Sequence, residues 1–134
     1  MIAKQPALIK INSHLDNNRS PLYFLDLVKT LDFVAKRFYF VTNMFQGEVR
    51  GNHGHKELRQ IIICLDGALK VNVFHQNVTY EFSISCSSHA VYIPKDSWRS
   101  IESTAENSTM FVLASEEYDP LDYIHTRDDL KWNL

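Results

Sequence analysis

Apolar and polar residues alternate at period two along most of this chain, and turn residues recur about every eight to twelve positions, the spacing of a β-sandwich or small barrel. No long helical stripe competes with that reading. Ala7 to Ile11 reads as a short strand. Asn17-Asn18-Arg19-Ser20-Pro21 is a turn, because Pro21 fixes its own dihedral while Asn17 and Asn18 favour local hydrogen bonds. Leu22 to Asp26 resumes extended structure. From Lys36 to Val41, Arg37, Tyr39 and Val41 share one face and Phe38 and Phe40 the other, so apolar bulk on both faces predicts burial on both sides. After a turn region from Gly47 to Gly54, strands follow at Gln60 to Leu65, Leu69 to Val73, Val78 to Ile84, Ala90 to Ile93 and Thr109 to Ala114. Asp66-Gly67 is a hairpin turn, and His75-Gln76-Asn77 reverses the chain. The tail from Glu116 to Leu134, carrying Leu121, Tyr123, Ile124, Leu130 and Trp132, predicts a short helical appendix packed on the sheet.

At 134 residues and 45% hydrophobic, the chain suits one domain spanning 1–134 and is too short for two. The formal net charge of −2, with Lys and Arg scattered from Lys4 to Lys131, offers no basic stripe for nucleic acid or a membrane surface. The longest apolar run is Ile61 to Leu65, far below a membrane span, and MIAKQPALIK lacks the apolar core of a signal peptide. A cytoplasmic location is expected. Cys64 and Cys86 lie in apolar or strand-like contexts, which suits buried reduced thiols better than a disulfide.

All four glycines, Gly47, Gly51, Gly54 and Gly67, fall in one stretch, and His53 and His55 sit among them. Side chains two apart on an extended segment share a face, so this pair aims two imidazoles at one point. A lone strand histidine is usually a half-buried core residue. The pairing, the glycines and the adjacent Arg50 point instead to a site, whereas His14, His75, His89 and His125 read as surface or turn residues.

The order Gly47, His53, His55, Gln60, Gly67 resembles the first signature motif of the cupin superfamily, with Gln60 where the family places a metal-binding Glu. Ser88 to Arg99 resembles the second motif: Pro94 matches, Asp96 replaces a Gly, and Arg99 replaces the last His ligand. The resemblance implies an all-β, cupin-type jelly-roll barrel. A neutral amide is a poor ligand, and a guanidinium places a fixed positive charge where the metal belongs. Two imidazoles fall short of the three protein ligands usual at a catalytic zinc or iron. No metal and no other cofactor is therefore expected, and an acid or base role becomes the better reading of His53 and His55.

Within the cupins, Lys36-Arg37-Phe38-Tyr39-Phe40 and Arg50-Gly51-Asn52-His53-Gly54-His55-Lys56 resemble the KRxYY and RGxHAHK segments of the WxcM-like sugar ketoisomerases. Tyr92-Ile93-Pro94 with Trp98-Arg99 matches YIPxxxWR. Val112 to Ser115, and Tyr118-Asp119 through Asp122-Tyr123-Ile124, match the VLAS and YDxxDYI elements. Departures are Asn17-Asn18-Arg19-Ser20 for an Asp-x-Arg-Gly turn, Gly54 for Ala, and His125 for Arg.

The resemblance implies conversion of a dTDP-linked 4-keto-6-deoxy sugar to its 3-keto isomer, feeding deoxy- or amino-sugar synthesis for surface polysaccharide. The C3 proton is acidic beside the C4 ketone, so a base can remove it, give an enediolate and allow reprotonation at C4. His53 and His55 are the expected proton carriers, with Tyr39 a third. Arg37, Arg50 and Arg99 suit the diphosphate or the enediolate, and Gln60, Lys56 and Arg19 complete the expected substrate contacts. The competing readings are a non-catalytic sugar-nucleotide-binding module and a metal-dependent oxygenase, the latter disfavoured by Gln60 and Arg99. Strand edges that need covering favour a homodimer.

Overall fold

The computed structural model describes residues 2–86 and 88–130. Twelve strands and one short helix follow in order: β1 (Ala7–Lys10), β2 (Asn12–His14), β3 (Leu22–Phe24), α1 (Leu27–Thr30), β4 (Arg37–Met44), β5 (Val49–His55), β6 (Gln60–Asp66), β7 (Ala68–His75), β8 (Val78–Ser85), β9 (His89–Ile93), β10 (Ser97–Ser103), β11 (Ser108–Ala114) and β12 (Tyr123–Ile124). They form two five-stranded antiparallel sheets, β1-β9-β6-β11-β4 and β12-β5-β10-β7-β8, while β2 and β3 make a separate hairpin. This is the all-β jelly-roll architecture expected.

Period-two alternation turns one face of each sheet inward. The core between them draws Met44, Ile62 and Cys64 from one sheet and Leu69, Val71, Val73 and Ile101 from the other. Along β4 the inward row passes from Arg37 and Tyr39 through Val41 to Met44. On β6 it passes from Gln60 through Ile62 to Cys64. One end of the interior is therefore polar and the other dry.

Phe38 and Phe40 correct the expectation of burial on both faces of β4: they are 61% and 58% exposed. β4 is the edge strand of its sheet, and among the described residues no strand pairs beyond it. Phe38 instead stacks on Phe111, with ring centroids 5.5 Å apart. Cys86 is also exposed, whereas Cys64 is buried, and the two form no disulfide.

The glycine stretch from Gly47 to Gly54 is largely strand, not turn. β5 pairs with β10, and the register shifts between Arg99 and Ser100. Gly51 and Asn52 accommodate that bulge at φ of 80° and 56°, left-handed values that favour Gly and Asn. The tail forms two 3-10 turns, Pro120–Asp122 and Arg127–Asp129, on either side of β12. β12 adds to β5, with Tyr123 opposite His55 and Ile124 opposite Gly54, and Ile124 packs with Trp98 and Leu130. The part of the expected appendix from Lys131 to Leu134 lies outside the described residues.

Candidate active site

At the polar end of the interior, a cavity of about 340 Å³ is lined by Arg37, Tyr39, Arg50, His53, His55, Gln60 and Arg99, with Tyr118 and Tyr123 from the tail. Seven of the nine residues singled out in the sequence for catalysis or substrate binding therefore meet there. Arg19 does not: it lies exposed in the turn between β2 and β3, 3.9 Å from Asp16. Lys56 also stays outside, exposed at the end of β5, where its backbone N–H donates to the Asp122 carbonyl.

The β5 bulge sets the aim of both histidines. Their rings lie edge to face with centroids 4.8 Å apart, and Tyr123 packs against both, at 4.9 and 4.4 Å. His53 Nδ1 lies 2.9 Å from the Gly51 carbonyl oxygen, and His55 Nδ1 lies 3.2 Å from Asp122 Oδ2. Both acceptors call for a proton on Nδ1, which leaves each Nε2 with a lone pair. Burial, then Arg99, lowers the pKa of His53. Burial, followed by Arg99, His53 and Arg37, brings that of His55 down to about 2. The Asp122 carboxylate favours the first proton on His55, and its buried cationic surroundings oppose a second. Both rings rest as neutral imidazoles, the form that accepts protons.

Arg99 is 1% exposed. Its Nη1 donates to Gln60 Oε1 and its Nη2 to the Ser97 carbonyl, while its Nε is buried without a partner. Burial lowers its pKa to about 10, so it remains a cation at neutral pH. Among the described residues it forms no contact ion pair, and its guanidinium faces the cavity with the Asp122 carboxylate acting on it from further off. Gln60, its oxygen taken by Arg99, donates through Nε2 to Tyr39 Oη at 3.0 Å. The phenol accepts there and keeps its own proton for another acceptor. Nearer the mouth, Arg37 Nε donates to the Glu116 carbonyl, and Arg50 Nε lies 3.0 Å from Glu48 Oε2.

Among the described residues, no three His, Cys, Asp or Glu side chains gather as a metal site. The residues that sequence reasoning missed are Tyr118 and Tyr123 on the cavity and Asp122 behind His55. Their segment was picked out only as a family element, and no local pattern announces a contact 67 residues away. His75 also differs from expectation. It is buried, with Nδ1 3.2 Å from the Asp96 carbonyl oxygen and 3.1 Å from Ser97 Oγ. Asp96, which stands where cupins carry Gly, adopts φ 56°.

The sequence matches the family described as FdtA: WxcM-like, C-terminal, over residues 4–133. The TDP-4-oxo-6-deoxy-alpha-D-glucose-3,4-oxoisomerase of Aneurinibacillus thermoaerophilus is 30% identical over 115 residues, covering 86% of this chain and 83% of that protein. A sugar 3,4-ketoisomerase from Thermoanaerobacterium thermosaccharolyticum, solved with TDP, superposes with a TM-score of 0.82 at 32% identity over 92% of this chain and 90% of that one. A mutant of the same enzyme has been solved with TDP-4-keto-6-deoxyglucose. The TDP-quinovose 3,4-ketoisomerase of Campylobacter jejuni gives a TM-score of 0.86 at 26% identity, covering 96% of this chain and 98% of that one. With the cupin-like fold, the paired histidines and a family match over nearly its whole length, this chain belongs to the WxcM-like family of sugar 3,4-ketoisomerases.

Proposed function

We propose that the chain isomerises a dTDP-linked 4-keto-6-deoxyhexose to the 3-keto sugar by proton transfer through His53 and His55. The observation that carries this reading is the pairing of two neutral imidazoles, each with Nδ1 engaged, with one buried guanidinium whose hydrogen-bond partners are neutral, in the same cavity. A binding module has no need of two poised bases. An enediolate intermediate needs both a base and a cation.

His53 removes the C3 proton, and the C–H electron pair moves toward O4. Arg99 and the Tyr39 hydroxyl stabilise the negative charge that forms on oxygen, in a site where burial strengthens both interactions. A proton returned to C4, with loss of the C3 hydroxyl proton and a gain at O4, completes the isomer with no net change in atoms or electrons. Arg37 and Arg50, nearer the mouth, suit the diphosphate. We infer that the reaction is independent of metal, because the groups at the former ligand positions, Gln60 and Arg99, bond to each other and a guanidinium cannot ligate a cation. Arg19 and Lys56 contact substrate in this chain only if another part of the assembly brings them to it.

Wild-type protein purified through a chelator should incorporate solvent deuterium into a dTDP-4-keto-6-deoxy sugar. His53→Asn should abolish exchange at C3 while nucleotide affinity stays within about tenfold, because proton transfer and not binding is removed. Retained exchange in the variant sinks the assignment of His53, and activity that returns only with added metal sinks the metal-free site. The exposed apolar groups Phe38 and Phe40 on β4 and Leu22, Tyr23 and Phe24 on the hairpin support a homodimer. Light scattering that gives a monomer would refute it. Among the described residues no helix is long and apolar enough to cross a membrane, and a nucleotide-linked substrate favours a cytoplasmic reaction.

A further inference from the structure

Asp122 reaches the site from the tail, in the 3-10 turn just before β12. Its Oδ1 accepts the Glu57 backbone N–H at 2.8 Å, and its Oδ2 accepts the Leu58 N–H at 3.2 Å while lying 3.2 Å from His55 Nδ1. Its carbonyl accepts the Lys56 N–H at 3.0 Å. One residue thus clamps the connection between β5 and β6 and meets one of the two histidines, without lining the cavity itself. The other histidine has a weaker acceptor. His53 Nδ1 faces the Gly51 carbonyl, a neutral group, whereas His55 Nδ1 faces a carboxylate.

That inequality has a chemical consequence. An ionised carboxylate only accepts hydrogen bonds, so it admits a single neutral tautomer of His55, with the proton on Nδ1 and the lone pair on Nε2. When Nε2 takes a proton, the charge on the imidazolium lies opposite the carboxylate and is stabilised by it. A backbone carbonyl sets the same tautomer for His53 but supplies a partial dipole in place of a full charge.

We propose that Asp122 is a positioning residue for the isomerisation: it holds His55 as the Nδ1–H tautomer and stabilises the imidazolium formed when Nε2 takes up a proton during turnover. The proton enters and leaves through Nε2. The carboxylate thereby offsets part of the opposition that burial and the nearby cations set against a second proton on His55. The tail segment gains a role beyond packing, because docking of β12 on β5 brings the carboxylate into place. The kinetic part of this proposal rests on the ketoisomerase reading. The tautomer does not.

Nitrogen-15 NMR of histidine-labelled wild-type protein should show His55 neutral and protonated on Nδ1, and finding the Nε2–H form overturns the proposal. Asp122→Asn removes the charge opposite His55 Nδ1, and in either orientation of the amide it costs the Glu57 or the Leu58 N–H its acceptor. Its kcat should fall at least a hundredfold with KM within threefold of wild type, and Asp122→Glu should recover part of the loss. A kcat within threefold of wild type overturns the proposal. Should Asp122→Asn fail to fold, the wild-type tautomer decides alone. If the wild type shows the Nδ1–H form yet does not turn over the sugar nucleotide, the proposed reaction fails and the positioning of His55 stands.

Discussion

The two ends of the barrel interior both hold buried polar groups, and they treat them in opposite ways. At the closed end Ser103 Oγ donates to Ser108 Oγ at 2.8 Å, and Ser108 Oγ lies 3.0 Å from the Ala68 carbonyl and 3.2 Å from its N–H. These hydroxyls answer one another and the nearby backbone, as buried polar groups in a finished structure do. At the open end Arg99 is as deeply buried, but it has neutral partners only and an orphaned Nε. Burying a cation without an anion costs several kcal/mol, far more than burying a satisfied hydroxyl. The fold tolerates the cost where a ligand can offset it. Polar groups that neighbouring hydroxyls and backbone satisfy mark structure here, and a buried, cavity-facing cation with neutral hydrogen-bond partners marks function.

The largest effect should come from breaking this contrast at the open end. Arg99→Met keeps length and volume while removing the charge. Loss of a buried donor aimed at a developing oxyanion should lower kcat/KM by about a thousandfold, or about 4 kcal/mol of transition-state stabilisation. The thermal midpoint should hold or rise, because an unpaired buried cation is replaced by an apolar side chain while Gln60 keeps the solvent of the cavity. A variant that loses stability and keeps its activity would place Arg99 with the structural serines.

The same contrast explains which parts of the molecule were legible in the sequence. β6, β7 and β8 were readable because their inward rows are apolar apart from Gln60 at the start of β6 and His75 at the end of β7. β10 was not, since its buried positions include Ser97, Arg99 and Ser103, and polar inward residues hide a strand from a hydrophobic pattern. β5 read as a turn because its bulge and its glycines imitate one. His53 and His55 were visible through their spacing, and Gln60 and Arg99 through their substitution into a known motif. Asp122, Tyr118 and Tyr123 reach the site through tertiary docking of the tail, which no local period encodes. Alternation also does not distinguish a covered face from an open one, which is why it predicts burial for Phe38 and Phe40.

At the closed end the sharpest probe is Gly67, in the turn between β6 and β7 at φ 80°. A Cβ there would lie 2.2 Å from the Asn107 carbonyl oxygen and 2.5 Å from Ser108 Oγ. Gly67→Ala should therefore cost about 3 kcal/mol, from a left-handed conformation that L-residues avoid and a contact that only backbone movement relieves. Urea unfolding measures the loss. At temperatures where the variant is folded, its kcat should stay within about twofold of wild type. A tenfold fall would show that the two ends are mechanically coupled and that the contrast between them is not a division of labour.

The smallest effect distinguishes the ends by their response to acid. The closed end relies on hydroxyls and backbone groups, which do not titrate, whereas His53, His55 and the nearby His75 all have pKa values lowered first of all by burial. An unfolded histidine titrates near 6.5, so between that value and the lowered folded values the unfolded chain binds more protons. The stability contributed by these neutral rings is therefore complete above about pH 6.5 and is lost as the pH falls below it. For His55, 3% exposed, the loss between pH 7.5 and 5.5 should be about 1.4 kcal/mol. The Asp96 carboxyl, raised chiefly by burial, acts in the opposite sense, so the measurement is the difference between wild type and His55→Gln in urea at the two pH values. The variant should lose less stability on acidification than wild type. Equal losses would mean that His55 is already protonated in the folded protein, and the open end would then hold a charged pair with Asp122 in place of a poised base.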